Sequence, residues 1–322
     1  MSRKYRTRAL RALSQVQQVS ALAFGSFVVV HLTAPALALV APSDPHELAT
    51  GTMLLGRVWY QNAVSEPVLV WGALAVHLTS SLARKAIVLF WAPKPNKAQE
   101  DAQGTGSDQD PSQQHIQTWT QKLAAAVQAA TRRASLASDL HTLAGTLLVP
   151  FVLHHAYLNR IVPSRSTPPV NSLSPSELDY AYVAHGFGPA PATAETSLLH
   201  PASAVSPRAA FSTVAYGVLI GLTVYHSTHG VRKILRWRNQ EKARSHKRLE
   251  SDSGKPADSP VPTPTSAKSR RTWDVGAGVA TAVVCGGLFR LVQGVDKQPP
   301  FLLNRFEACY SLVWPYATLH RP

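Results

Sequence analysis

DLHTLAGTLLVPFVLHHAYLNRIVP, residues 139–163, decides the fold. After Asp139 it runs about twenty residues without a charge, the length at which a helix crosses a bilayer core. His141, His154 and His155 interrupt this apolar run. His141 and His155 are 14 residues apart, which puts them within roughly 40° of each other on a helix. A polar stripe on an apolar span faces other helices or a ligand rather than lipid. One span cannot bury such a stripe alone, so its partners must lie elsewhere in the chain.

They are supplied by four further apolar runs. The spans fall roughly at 14–40, 66–91, 139–161, 209–231 and 273–293, the last rich in Gly and Ala and carrying Arg290. The first has no charge between Arg11 and Asp44. The mean hydropathy of −0.05 hides this clumping, because polar residues gather in the connecting segments. A soluble helix would break such runs with charge every turn or two.

The formal net charge of +14 raises the question of nucleic acid. Its placement answers against that. Residues 1–13, 92–138 and 232–271 carry 5, 5 and 12 Lys and Arg, whereas 41–65 and 162–208 carry 1 and 2. Rich and poor segments alternate as membrane topology requires, with the N-terminus on the positive side and the C-terminus opposite. The partner expected from this pattern is membrane lipid, with no nucleic acid. Two cysteines, Cys285 and Cys309, make no disulfide framework. No zinc spacing, phosphate-binding Gly loop or nucleophile elbow is present.

The domain plan follows. Residues 1–13 are a basic flank, read as uncleaved; 14–91 are a first transmembrane helix pair; 92–138 are a polar loop whose composition predicts disorder over 94–114 and a surface helix over 116–133. Residues 139–237 are a second helix pair with a Pro- and Ser-rich loop at 162–208. Residues 238–271 are a basic, Pro-rich disordered loop, and 272–322 are the fifth helix and tail.

The two pairs align. With Gln17 opposite His141, Ala21 meets Gly145, Phe27 meets Phe151 and His31 meets His155. Small residues at such positions let helices approach closely in lipid. In the second span Glu66, His77 and Arg84, spaced 11 and 7 apart, share a face; in the fourth, His226, His229 and Lys233 do. The first four spans therefore each bring histidine into apolar surroundings, where an unpaired polar group costs several kcal/mol. Three arrangements satisfy them: a hydrogen-bonded polar core, a quinone or proton pathway, or facing imidazoles as axial ligands of haem b. Read as haem ligands, His77 with His226 form one pair and His31 with His155 a second, with Arg84 and Arg232 near the propionates. The fold class expected is an all-α membrane protein with five transmembrane helices: a pseudo-duplicated four-helix haem-type core plus one extra helix packed outside.

The segment H226-S-T-H229-G230-V-R232-K resembles the haem-bearing helix of the succinate dehydrogenase cytochrome b subunit, with His226 at the ligand position. It departs from that family in having His229 and Lys233 where other residues stand. H141-x-x-A-G145 resembles the preceding helix of the same family but lacks the Ser and Arg used there for quinone.

A closer likeness runs over four of the five spans, on Q17-x-x-S20 with F27-x-x-x-H31, E66 with H77-x-x-S80 and R84, H141-x-x-x-G145 with F151-x-x-x-H155, and H226-x-x-H229-G230. These resemble the fungal mitochondrial outer-membrane adaptor family, the MCP family. That resemblance implies a multi-pass outer-membrane protein, with the N-terminus and loops 92–138 and 232–271 cytosolic and the C-terminus in the intermembrane space. It implies support of lipid homeostasis at a contact site, through recruitment of a bridge-type, chorein-class lipid-transfer protein by a cytosolic Pro-x-Pro motif. Pro93 with Pro95, and Pro262 with Pro264, are the cytosol-facing candidates. A non-enzymatic adaptor is the expected class. The alternative is a haem-containing transmembrane oxidoreductase or a quinone-linked cytochrome b subunit.

Overall fold

The computed structural model describes residues 2–41, 44–91, 140–188, 206–252, 267–293 and 298–319. Every regular element among them is a helix. α1 is Arg3–Val40, so the basic flank is its first turns rather than a separate arm. α2 is Pro45–Tyr60. A π-helical turn, Glu66–Gly72, leads into α3, Ala73–Phe90. α4 is Leu140–Ala156, prolonged by π-helical Tyr157–Ile161. α5 is Tyr180–His185, α6 is Pro207–Asp252 and α7 is Ala267–Gln293. α8, Pro300–Tyr310, and α9, Tyr316–Leu319, end the described chain.

Among the described residues, four helical stretches are long and apolar enough to cross a bilayer: Lys4–Val40, Glu66–Phe90, Pro207–Ser245 and Arg271–Gln293. The stretch at 139–161, read from sequence as a fifth span, is the 17-residue α4 with its π-helical extension. α6 continues to Asp252, into the segment assigned to a basic loop.

The chain forms two compact units. The first comprises Met1–Phe24 and Glu66–Leu143, the second Gly25–Ser65 and Ala144–Pro322. The first is built on α1 and α3. Ser20 and Ser80 are both buried, and each hydroxyl folds back onto its own helix, to the Gln17 and His77 carbonyls. Such residues present almost no bulk to a neighbouring helix.

In the second unit α7 is part of the core, not an outer helix as expected. Its Ala277, Val284 and Leu288 are buried with Ile220 and Val224 of α6. At Gly287 it lies so close to α1 that a Cβ would stand 1.6 Å from the Pro35 carbonyl oxygen. Arg290 of α7 then donates to the carbonyls of Ala38, Leu39 and Ala41, filling the acceptors that the end of α1 leaves open.

The segment at 41–65, read as a short loop, holds the 16-residue α2. Asp44 starts it by accepting from the His46 and Glu47 amides, and Pro45 suits the first turn. Residues 158–188 and 300–319 form an aromatic cap. Leu158, Val162, Tyr182, Phe306, Tyr310 and Tyr316 are its largest buried side chains. Burial pushes the Cys309 thiol up to about 11, so it is an inert filler of this core. No single stretch of these segments has a continuous helical or strand period, so their sequence alone predicts a loop and a tail.

Candidate functional site in the helix bundle

In the first unit the polar groups meet around Gln17. Arg84 Nη1 donates to Gln17 Oε1 at 2.7 Å, and His77 Nδ1 donates to the Gln17 carbonyl at 3.3 Å. His77 and Arg84, seven residues apart, thus share a face as the spacing requires. Glu66, placed on the same face from sequence, accepts from the Trp71 indole at 3.2 Å.

In the second unit His31 of α1 and His155 of α4 come into contact. Their ring centroids are 5.9 Å apart, edge to face. Around them stands a shell in which the sequence marked Phe27 but not Tyr60, Asn159 or Tyr216. Phe27 stacks on His31 at 5.3 Å, and the Tyr60 hydroxyl lies 3.4 Å from His31 Nδ1. Asn159 donates to the His155 carbonyl at 2.9 Å and lies 3.2 Å from its Nδ1. Tyr216 sets its ring 5.6 Å from His155 and donates to Asn159 Oδ1 at 3.4 Å. Asn159 was findable, being four residues beyond His155 on the same helix face. Tyr60 was not, since its helix was read as a loop. Beside His155 a cavity of about 10 Å³, room for one water, is lined by Phe151, Tyr216 and Leu219 among others.

The adjacent His154 points away from this centre. Its Nε2 donates to the Trp314 carbonyl at 2.9 Å, and its ring packs on Phe211 and Tyr316 of the cap. His226 of α6 lies against Gly145 of α4, where a Cβ would stand 2.5 Å from its Cε1. Only glycine admits the ring there. One turn on, His229 pairs with Asp274 of α7 at 3.1 Å and packs on Tyr225. Arg232 is buried one turn further still. His77 belongs to the first unit and His226 to the second.

A second polar cluster ties the cap to α6. Arg208, 1% exposed in the first turn of α6, donates to Glu307 Oε2 at 2.8 Å, and its guanidinium lies 4.6 Å over the Tyr310 ring. His185 Nε2 stands 2.9 Å from the same carboxylate oxygen. Arg305 pairs with Glu177 and donates to the Val170, Asn171 and Ser172 carbonyls, holding a turn in which Asn171 and Ser172 are left-handed. Among the described residues no group of three or more His, Cys, Asp or Glu side chains converges as a metal site. Pro93, Pro95, Pro262 and Pro264 lie outside the described residues.

Residues 150–294 match the family model of the MDM10-complementing protein 1 transmembrane domain. That stretch runs from the middle of α4 through α7 and includes His154, His155, His226 and Arg232. No curated protein and no solved structure matches the chain.

Proposed function

We propose that this chain is a five-span adaptor of the mitochondrial outer membrane, related to MDM10-complementing protein 1. The match over residues 150–294 carries the reading. The residues quoted from the other spans, Gln17, Ser20, His31, His77 and Arg84 among them, extend the likeness to the N-terminal half.

The contacts of the second unit support a fifth crossing at 140–161. Arg57 of α2 donates to the carbonyls of Pro175 and Leu178, and the cap joins 158–182 to 306–316. The segments after the first, third and fifth apolar runs thus meet. If α1 crosses once and the chain from α2 through the 66–90 helix crosses once, the chain returns to that side before residue 162 only if α4 and its extension cross as well.

The adaptor acts by holding a bridge-type lipid-transfer protein at the membrane through a cytosolic Pro-x-Pro motif, at Pro93 and Pro95 or at Pro262 and Pro264. Proline segments dock at low entropic cost. Imaging of the partner on mitochondria tests this with Pro93→Ala/Pro95→Ala and Pro262→Ala/Pro264→Ala. One pair should abolish recruitment. Full recruitment with all four replaced sinks the motif, and a tagged chain found on another organelle sinks the whole assignment.

Haem b suits the donor chemistry of the bundle. Imidazoles from different helices, with Gly145 giving His226 room against α4, are the groups that hold such a cofactor. The histidines expected from sequence, His77, His226, His31 and His155, would supply its ligands, with Arg84 and Arg232 toward the propionates. When bound, haem supplies a one-electron iron couple. The absorption spectrum of detergent-purified protein decides. A Soret band in the wild type that is lost in His77→Ala and His226→Ala is expected. A flat wild-type spectrum removes the cofactor and leaves the adaptor reading untouched.

A further inference from the structure

α2 is apolar on two sides. Its inner stripe, Ala49, Met53, Gly56 and Tyr60, is buried against protein. Its outer stripe, Leu48, Leu55, Val58 and Trp59, is exposed, with Leu55 and Val58 each at 74%. Its one Arg or Lys, Arg57, is turned away from that stripe and donates to the Pro175 and Leu178 carbonyls. On the outer face the polar side chains are Glu47, at the Leu48 end, and Thr52, whose hydroxyl donates back to the Leu48 carbonyl, so the C-terminal half of α2 is apolar outward, as a helix facing a core or a bilayer is.

The depth of α2 is marked off along α1. Tyr60, its last residue, packs its ring 4.9 Å from Phe27 and its hydroxyl 3.4 Å from His31 Nδ1. Phe27 is 13 residues inside the end of α1 at Val40, or about 20 Å at 1.5 Å per residue. The polar layer on each face of a bilayer is only about 5–8 Å thick. With the Val40 end of α1 at the bilayer surface, the end of α2 reaches past the headgroups, to the level of α1 where Val29 is an exposed apolar side chain.

A chain that turns at that level needs its backbone groups satisfied without water. The turn after α2 meets part of that need with its own side chains. Asn62 Oδ1 accepts from the Val64 and Ser65 amides at 3.0 and 2.8 Å, and its Nδ2 donates to the Val58 and Trp59 carbonyls. The Ser65 hydroxyl donates to the Trp59 carbonyl at 2.6 Å. No charge occurs between Arg57 and Glu66.

We infer that α2 re-enters the bilayer: Leu55, Val58 and Trp59, with the turn at 61–65, lie among acyl chains, while the Leu48 end rises to the headgroups. This rests on α1 spanning the membrane, and not on haem or on the Pro-x-Pro motif.

Nitroxide labels at Glu47→Cys, Leu55→Cys, Val58→Cys and, as reference, Val29→Cys of α1 test it. The full-length protein is reconstituted in phosphatidylcholine vesicles, with the unsubstituted chain as background for Cys285 and Cys309. Collisions with oxygen and with a water-soluble nickel chelate are read by power saturation. All four positions are partly or fully exposed, so each variant should elute as a single folded species. Labels at 29, 55 and 58 should meet oxygen and lose the chelate, whereas 47 should meet the chelate. Chelate access at 55 and 58 with 29 protected puts α2 in water and overturns the inference. Chelate access at 29 as well overturns the membrane reading of α1 beneath it. Exclusion of both reagents at 55 and 58 means that protein covers this face, and overturns the inference too.

Discussion

At Gly287 there is no room for a single methyl group between α7 and α1, whereas a short way along the chain Phe306, Tyr310 and Tyr316 fill the cap with whole rings. Both contacts lie in the second unit, and they solve opposite problems. Lipid is as apolar as a side chain, so helices inside it gain little by burying leucine and associate through close backbone approach. The cap carries exposed Ser164, Arg165, Ser166 and Thr167 over its core. There, each buried ring removes about 150–250 Å² from solvent and drives the packing itself. Polar groups follow the same division. The bundle surrounds its histidines with neutral partners, as Tyr60 and Asn159 stand beside His31 and His155, while the cap sets a buried charge against an acid and a ring, as Arg208 shows between Glu307 and Tyr310.

The hardest test of this contrast is Gly287→Leu. A Cβ at 1.6 Å from the Pro35 oxygen meets backbone, which no rotamer change relieves. We expect a loss above about 3 kcal/mol, at the top of the range for overpacking, seen as aggregation on gel filtration or absence of a folded transition. Wild-type melting would mean that α1 and α7 are not held by close approach. Phe306→Ala comes next. Removing a fully buried ring should cost about 3–5 kcal/mol, read as an earlier unfolding transition and faster proteolysis within 162–188. If the same substitution left the cap resistant, burial would not be its driving term.

The helices of the bundle were legible because charge is absent or sparse along them, a signal that no local packing detail can mask. That the rings of His31 and His155 touch is a finding of the structure, but their shared register was legible too, from aligning α1 with α4 at Gln17 and His141. Most of the shell around them was not. Tyr60 sits on a helix whose apolar stripes face protein on one side and open surface on the other, so it carries no amphipathic pattern. The cap was invisible for a different reason. Arg57 finds Pro175 across 118 residues and Arg208 finds Glu307 across 99, and the cap segments themselves carry no continuous period. The sequence held one hint: Glu307 is the sole acid after Asp296, in an otherwise apolar and basic tail.

Gly145→Ala sharpens the bundle side. The added methyl would stand 2.5 Å from His226 Cε1, but that ring can swing, so the cost should be nearer 1 kcal/mol, the low end for overpacking. Thermal melting should therefore change little. If His226 binds haem, the spectrum should shift more than the melting point does. A large fall in stability without a spectral change would make Gly145 a packing residue alone.

The smallest effect belongs to the cap and depends on pH. Burial tends to raise the Glu177 carboxyl, but the Ser174 amide, which donates to Oε2 at 2.7 Å, and the Arg305 guanidinium outweigh it and hold it below its ordinary value. A carboxyl depressed in the folded state binds its proton less readily there than in the unfolded chain. It therefore stabilises the fold above the ordinary carboxylate range, and that contribution drains away as pH falls through the lowered value. Glu177→Gln keeps the shape and removes the titration. The wild type should melt above the variant at pH about 6, and the gap should close as pH falls toward about 3. A gap that stayed constant over that range would assign the effect to the shape of the side chain and not to its charge. Arg305 would then hold the turn at Val170, Asn171 and Ser172 through its bonds to their carbonyls alone.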